Sequence, residues 1–180
     1  RYQCIFASKE GAVVTPAAGT HFSRELLKRL EIKGVEQGFI TVHSGLGNFR
    51  EIDVEDLTKH RMDSEQMEAS QELVDLVNRT KDAERQVCAV GTSVLRGIAS
   101  AVSMGGHMKT YEGWTNKFIF PPYDFTVATS LVSNFHMPYS TMLMMVAAFG
   151  GYELVMKAYD VAVAEKYRFG AYGDAMLILD

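Results

Sequence analysis

Three histidines stand where a run that reads as strand gives way to small residues and then to a turn or helix. His21 lies in "TPAAGTHF" (15–22), His43 in "TVHSGLGNFR" (41–50) and His136 in "VSNFHMPYST" (132–141). A fourth stretch, "AVGTSVLR" (89–96), has the same grammar with Thr92 and Ser93 in place of a histidine. Carboxyl ends of strands are where open α/β folds hold their ligands, and an imidazole there titrates near neutrality, suited to giving or taking a proton. Glycine lets a backbone approach a ligand, and the free N–H groups of a helix start hold a carboxylate or phosphate. Gly91-Thr92-Ser93 is the clearest such start, although its hydroxyls serve equally well as N-caps. For His136 the competing reading is structural: a ring packed under the Pro138 turn and hydrogen-bonded to backbone.

Two other chemistries fit less well. Gly45-x-Gly47 after a strand suggests a dinucleotide loop, but Arg50 occupies the third glycine position and "EIDV" after it offers no helix start. A metal centre from His21, His43 and His136 with Asp63 or Glu65 lacks local ligand spacing, so no metal is expected.

The elements that must position these residues alternate. Tyr2 to Ala7 reads as a strand, then Ser23 caps a helix to Ile32 with Leu26, Leu27 and Leu30 on its apolar face. Gly38 to Val42 reads as a strand. Ser64 is expected to cap a long helix with Met67, Leu73, Leu76 and Val77 inward, followed by a strand at Arg85 to Val90 and a helix at Val94 to Val102. Lys117 to Phe120 and Val127 to Ser133 read as extended, Met142 to Phe149 and Glu153 to Lys166 as helical, and Ala175 to Leu179 as a last strand. This order predicts an α/β fold, a largely parallel or mixed sheet, open or barrel-like, covered by helices.

Composition sets the bounds. With 180 residues, 47% hydrophobic and 22% charged, the chain fits one α/β domain over 1–180. The net charge of −4 argues against a molecule-wide affinity for nucleic acid, leaving only local patches. The longest apolar run, Met142 to Tyr152, falls short of the roughly 20 residues that span a bilayer, so no membrane partner is expected. The two cysteines, Cys4 and Cys88, fall in strand-like segments without metal spacing and read as buried reduced thiols of a cytoplasmic protein. A strand-like start directly after Arg1 suggests a fragment of something longer.

The loaded stretches also match a known family in order. Pro16, Ala18, Gly19, His21 and Phe22 fall on its "PTAGLHF", and Thr41, His43, Gly45, Gly47, Phe49 and Arg50 on "THVGAGTFR". Met62 and Glu65 fall on "MHSE", and Gly91, Thr92 and Arg96 on "VGTTSVRTLE". Asn134, Phe135, His136, Pro138, Ser140 and Thr141 fall on "TNFHLPKSTL", and "YRFGAYGDAMLI" (167–178) nearly repeats the family's ending. On these residues the chain resembles the C-terminal part of the S-adenosylmethionine:tRNA ribosyltransferase-isomerases of queuosine biosynthesis. It departs from them in Asp63, where the family has a histidine, and at Ala17, Ala99, Asn116, Pro122 and Thr129.

The resemblance implies an α/β fold whose inserted β-barrel domain is absent from this chain. It implies transfer and isomerisation of the ribosyl group of S-adenosylmethionine onto an aminomethyl-deazaguanine base in the tRNA anticodon, giving epoxyqueuosine-tRNA. Beyond S-adenosylmethionine as co-substrate no cofactor is implied, and the partners are that donor and tRNA. Acid/base candidates are then His136, His43 and His21, with Glu65 as the carboxylate candidate or as a group orienting one of them. Substrate-binding candidates are Gly45, Gly47, Arg50, Gly91, Thr92, Arg96, Asn134, Tyr172 and Asp174. Arg50 or Arg96 suits a carboxylate or phosphate, Tyr172 a stacked base, and Asp174 ribose hydroxyls or an exocyclic amine. The alternative is an inactive half, or a divergent relative that binds an adenosyl ligand or RNA without transfer.

Overall fold

The computed structural model describes residues 2–179 and has two open three-stranded sheets with helices around them. The strands are β1 (Thr41–His43), β2 (Glu65–Ala69), β3 (Cys88–Val90), β4 (Tyr111–Thr115), β5 (Ser130–Asn134) and β6 (Ala175–Leu179). The α-helices are α1 (Arg24–Ile32), α2 (Gln71–Asp82), α3 (Thr92–Ala101), α4 (Thr141–Gly150) and α5 (Tyr152–Ala164). One sheet runs β1-β2-β4 and is wholly antiparallel. The other runs β3-β5-β6, with β3 parallel to β5 and β6 antiparallel. The fold is therefore mixed α/β, and β3·β5 is the one parallel pair among the described residues. Only the mixed form of the expected sheet is realised: β1 passes to β2 without an α-helix, and β4 returns antiparallel beside β2 although α2, β3 and α3 lie between them.

Helix α3 joins the two sheets, packing against strands of both. Its Gly97 makes this possible: a Cβ there would fall 2.6 Å from Ile40 Cδ1. The core forms on either side of it, from Met67 of β2, Ala89 of β3, Leu131 of β5, Leu95 of α3, Val146 of α4 and Ile119, all fully buried. Helix α4 carries apolar side chains around much of its circumference, as a helix enclosed by other elements should. No single helix among the described residues is long and apolar enough to cross a membrane.

Several expected elements differ. The alternating Tyr2 to Ala7 finds no strand partner; it turns, with Ala7 N–H on Cys4 O, and packs Cys4 and Phe6 against Gly19. Residues 65–69 form strand β2 instead of the start of a helix, because Glu65, Met67 and Ala69 are buried on one face while Gln66 and Glu68 face outward. The true cap of α2 is Ser70, whose hydroxyl accepts from Leu73 N–H. Residues 117–120 belong to no strand, whereas β4 lies just before them. Cys4 is buried as expected, but Cys88 is exposed on β3, the edge of its sheet.

The position of the α2 cap has a measurable consequence. Ser70→Ala should lower the unfolding free energy by about 1 kcal/mol, as loss of an N-cap does, while Ser64→Ala should change it little. Urea denaturation of the two variants checks this.

Candidate active site

Strands β3 and β5 run parallel and end side by side, and the segments that leave their carboxyl ends carry Gly91, Thr92, Arg96, Asn134 and His136. From β3 the chain turns at Gly91, whose φ of 103° lies in the left-handed region that glycine tolerates, and enters α3. From β5 it passes through Asn134, Phe135 and His136 to Ser140, whose side chain caps α4. A short 3-10 helix, Ala17–His21, lies against this rim, with Ala18 about 3.6 Å from where a Gly91 Cβ would sit.

On one side of the rim Glu65 organises a buried cluster. It is 3% exposed and forms an ion pair with Arg96, 2% exposed, through Oε2. Its Oε1 accepts from the Gly45 N–H at 2.9 Å and from Asn48 Nδ2 at 2.8 Å. Burial draws the Arg96 guanidinium down from its ordinary value, and the opposed carboxylate favours its charged form. Arg96 Nη1 also points at Met62 Sδ, 3.7 Å away. A narrow crevice, too tight to hold a water molecule, lies here, lined by Asn48, Met62, Thr92, Arg96, Thr141 and Met145 among others. Arg50 and Gly47 meet at Asp63, next in sequence to the lining residue Met62. The exposed Arg50 pairs with Asp63 at 3.1 Å, so the aspartate that replaces the family's histidine is engaged by a neighbouring motif arginine.

On the other side stands a polar chain. His21 Nε2 is 3.1 Å from Asn134 Oδ1, and Asn134 Nδ2 donates to Gly173 O at 3.2 Å. The second bond fixes the amide so that Oδ1 faces the imidazole, which places the proton on His21 Nε2 and leaves Nδ1 with a free lone pair. Asp174 carries a negative charge near His21. The Arg168 backbone N–H and guanidinium hold its carboxyl below the ordinary carboxylate value. Tyr172 is exposed, adopts a left-handed φ of 58°, and its ring lies 4.4 Å from that of Tyr2.

Two of the expected residues stand apart from both groups. His136 is held inward, its Nε2 2.9 Å from Ser133 Oγ and its backbone N–H donating to the Tyr159 hydroxyl. Desolvation pushes its pKa down to about 4, so it is neutral at pH 7. His43 pairs with Gln66 across β1 and β2, and paired residues share a face, so it points away from Glu65 and Met67. Its ring instead covers Gly11, whose added Cβ would lie 2.6 Å from Nδ1. Glu65 therefore orients an arginine and a turn, not a histidine.

Sequence reasoning missed Asn48, and it named Met62 and Thr141 only as motif matches, without a place in the site. Only the proximity of Asn48 to the glycine turn pointed to it. A roomier cleft, about 130 Å³, lies at the far end of α3 around Lys117 and Tyr123 and contains none of the candidate site residues. Lys117 there is spent on Ala99 O and the Tyr123 ring.

The burial of His136 predicts a pH effect. Below its unfolded value of 6.5 the unfolded chain binds a proton that the folded chain refuses down to about pH 4. Its contribution is thus fully present above pH 6.5 and falls as the pH drops toward 4, by at most roughly 3 kcal/mol. The stability gap between the wild type and His136→Gln should narrow over that window, and denaturation at pH 7, 5.5 and 4 measures it.

The chain resembles known proteins over its whole length. A family described as "Queuosine biosynthesis protein" matches residues 1–178. The chain is 73% identical to the S-adenosylmethionine:tRNA ribosyltransferase-isomerase of Parabacteroides distasonis, over 99% of this chain and 51% of that protein. To the protein of the same name from Bacteroides fragilis it is 69% identical over 100% of this chain and 51% of that one. The crystal structure of S-adenosylmethionine tRNA ribosyltransferase from Thermotoga maritima aligns with a TM-score of 0.75 at 37% identity, over 91% of this chain and 52% of the other. The chain thus spans about half the length of the curated relatives it matches. It belongs to the queuosine biosynthesis protein family.

Proposed function

We propose that this chain is one α/β domain, the C-terminal part of a cytoplasmic S-adenosylmethionine:tRNA ribosyltransferase-isomerase. That enzyme moves the ribosyl group of the donor onto an aminomethyl-deazaguanine base in the tRNA anticodon and rearranges it to epoxyqueuosine. The observation that supports this reading best is the meeting of the family's separate motifs at the carboxyl ends of β3 and β5.

The reaction needs a base for a proton made acidic by the sulfonium, help for adenine as it departs, and exclusion of water. His21 is the best-placed base. Asn134 holds its tautomer, its Nδ1 is free, and it is exposed to an incoming substrate. Tyr172, held in an unusual backbone conformation and exposed, offers a face for a base to stack on. His136, neutral and held by Ser133, fits a structural part in this scheme.

The test is single-turnover release of adenine by the full-length protein from S-adenosylmethionine and a deazaguanine-bearing anticodon stem-loop. His21→Gln should cut the rate by roughly 10²–10⁴ with donor binding little changed. His136→Gln should melt lower but keep a near-normal rate. An unimpaired His21→Gln would remove it as the base. Donor binding without adenine release from the wild-type protein would favour a binding-only relative.

A further inference from the structure

Both oxygens of Asp174 have donors before any substrate arrives. Oδ2 accepts from the Arg168 backbone N–H at 2.7 Å and Oδ1 from the Arg168 guanidinium at 3.1 Å, while the Asp174 N–H donates to Arg168 O at 2.8 Å. Arg168 and Asp174 therefore close residues 168–174 into a ring. Within it Gly173 N–H donates to Gly170 O at 3.0 Å. Two further bonds stitch the ring to the segment leaving β5: Gly170 N–H on Phe135 O, and Phe135 N–H on Asp174 O. Phe169 anchors the ring in the core, 5.2 Å from the Phe135 ring. No side chain fits at 173, since a Cβ there would lie 2.8 Å from both Arg168 O and Gly170 O, backbone atoms that cannot swing aside. Tyr172, between these residues, keeps its left-handed φ of 58°, a conformation that persists where the surroundings over-determine it.

The ring presents one group to the site, the Gly173 carbonyl. Asn134, 3% exposed, donates to it through Nδ2 at 3.2 Å and turns Oδ1 toward His21 Nε2. An amide has one donating end and one accepting end, so the end that the carbonyl takes decides which end the imidazole meets. We infer that Asp174 is a positioning residue for His21: its carboxylate clasps the ring, the clasp fixes the Gly173 carbonyl, and that carbonyl sets the Asn134 amide that keeps the proton on His21 Nε2. This rests on the reading of His21 as the base and adds what holds that base in its working tautomer. The bond from the Arg168 backbone N–H is the stronger part of the clasp, because the guanidinium is 74% exposed and its ion pair is screened by water. Asparagine at 174 would keep an acceptor for that N–H, whereas alanine would keep none.

The test uses the full-length protein as wild type, Asp174→Ala, Asp174→Asn and Gly173→Ala, with two measurements on each. One is the ¹⁵N spectrum of the His21 ring in mildly alkaline buffer, where an imidazole is neutral and its two nitrogens report the tautomer. The other is single-turnover adenine release, with the affinity for S-adenosylmethionine measured alongside. The wild type should show the Nε2–H tautomer alone. Asp174→Ala should show both tautomers and release adenine roughly 10- to 100-fold more slowly, with donor affinity changed by no more than about twofold. Gly173→Ala keeps the carboxylate but displaces the carbonyl, and should match Asp174→Ala in both measurements. Asp174→Asn should restore the single tautomer and most of the rate. An unchanged His21 spectrum in Asp174→Ala or in Gly173→Ala would overturn the inference. Asp174→Asn as slow as Asp174→Ala, with the donor bound more weakly by both, would also overturn it, since that pattern marks a carboxylate that touches substrate. Mixed tautomers at an undiminished rate would uphold the positioning and remove His21 as the base, so the two readings fail separately.

Discussion

The ion pair of Glu65 and Arg96 is the contact on which the arrangement of this protein depends. Glu65 belongs to the antiparallel sheet, and Arg96 to the helix that follows the parallel strand of the other. Between them the two side chains tie the sheets across the interior, where both are almost fully buried. Breaking such a pair by removing one partner costs about 3–5 kcal/mol, because the survivor is left charged in a poor solvent. The same carboxylate uses its second oxygen on Gly45 and Asn48, so the glycine turn is fastened to the pair as well. A second link runs in parallel: Arg96 O accepts from Ser100, whose hydroxyl meets Thr115 of β4, the residue paired with Glu65.

This fastening explains how segments distant in sequence form one rim. Residues 45–49 are held by Glu65, α3 by Arg96, and α4 follows β5, which runs beside β3. A backbone link closes the circle, since Ile52 N–H donates to Tyr139 O just before α4 begins. The polar chain from His21 through Asn134 to Gly173 reaches the same rim from the other side and needs no charge pair to do so. A rigid, neutralised pair on one side and an exposed, tautomer-fixed histidine on the other give the rim two different characters. The first suits holding a ligand and the second suits moving a proton.

Much of the fold was legible where local signals and tertiary packing agree. Ser23 and the leucines of α1, the apolar run of α4 and the alternation of β6 all read correctly, since each combines a cap or a period with the element it forms. Residues 65–69 did not, because Glu, Gln, Met and Ala favour helices and an inward-facing glutamate conceals a strand's alternation. That concealed residue is the centre of the site. Tyr2 to Ala7 failed in the opposite sense: its alternation is real, but a strand needs a partner edge and none meets it. In the site, residue types were readable while their partners were not. Glu65 was expected to serve catalysis or a histidine and instead meets Arg96; His43 turns away because the β1–β2 register places it beside Gln66. That Thr141 Oγ1 meets no partner among the described residues leaves no trace in a sequence, since it consists of what is missing around one atom.

The account stands or falls on whether Glu65 holds the glycine turn against α3, and native-state hydrogen exchange at the Gly45 amide reads that directly. If it does, Gly45 should exchange as slowly as the amide of Leu131 in β5, and Glu65→Gln should release Gly45 while Leu131 stays protected. A Gly45 amide that exchanges as fast as an exposed loop in the wild-type protein, or one indifferent to the loss of the carboxylate, would contradict it.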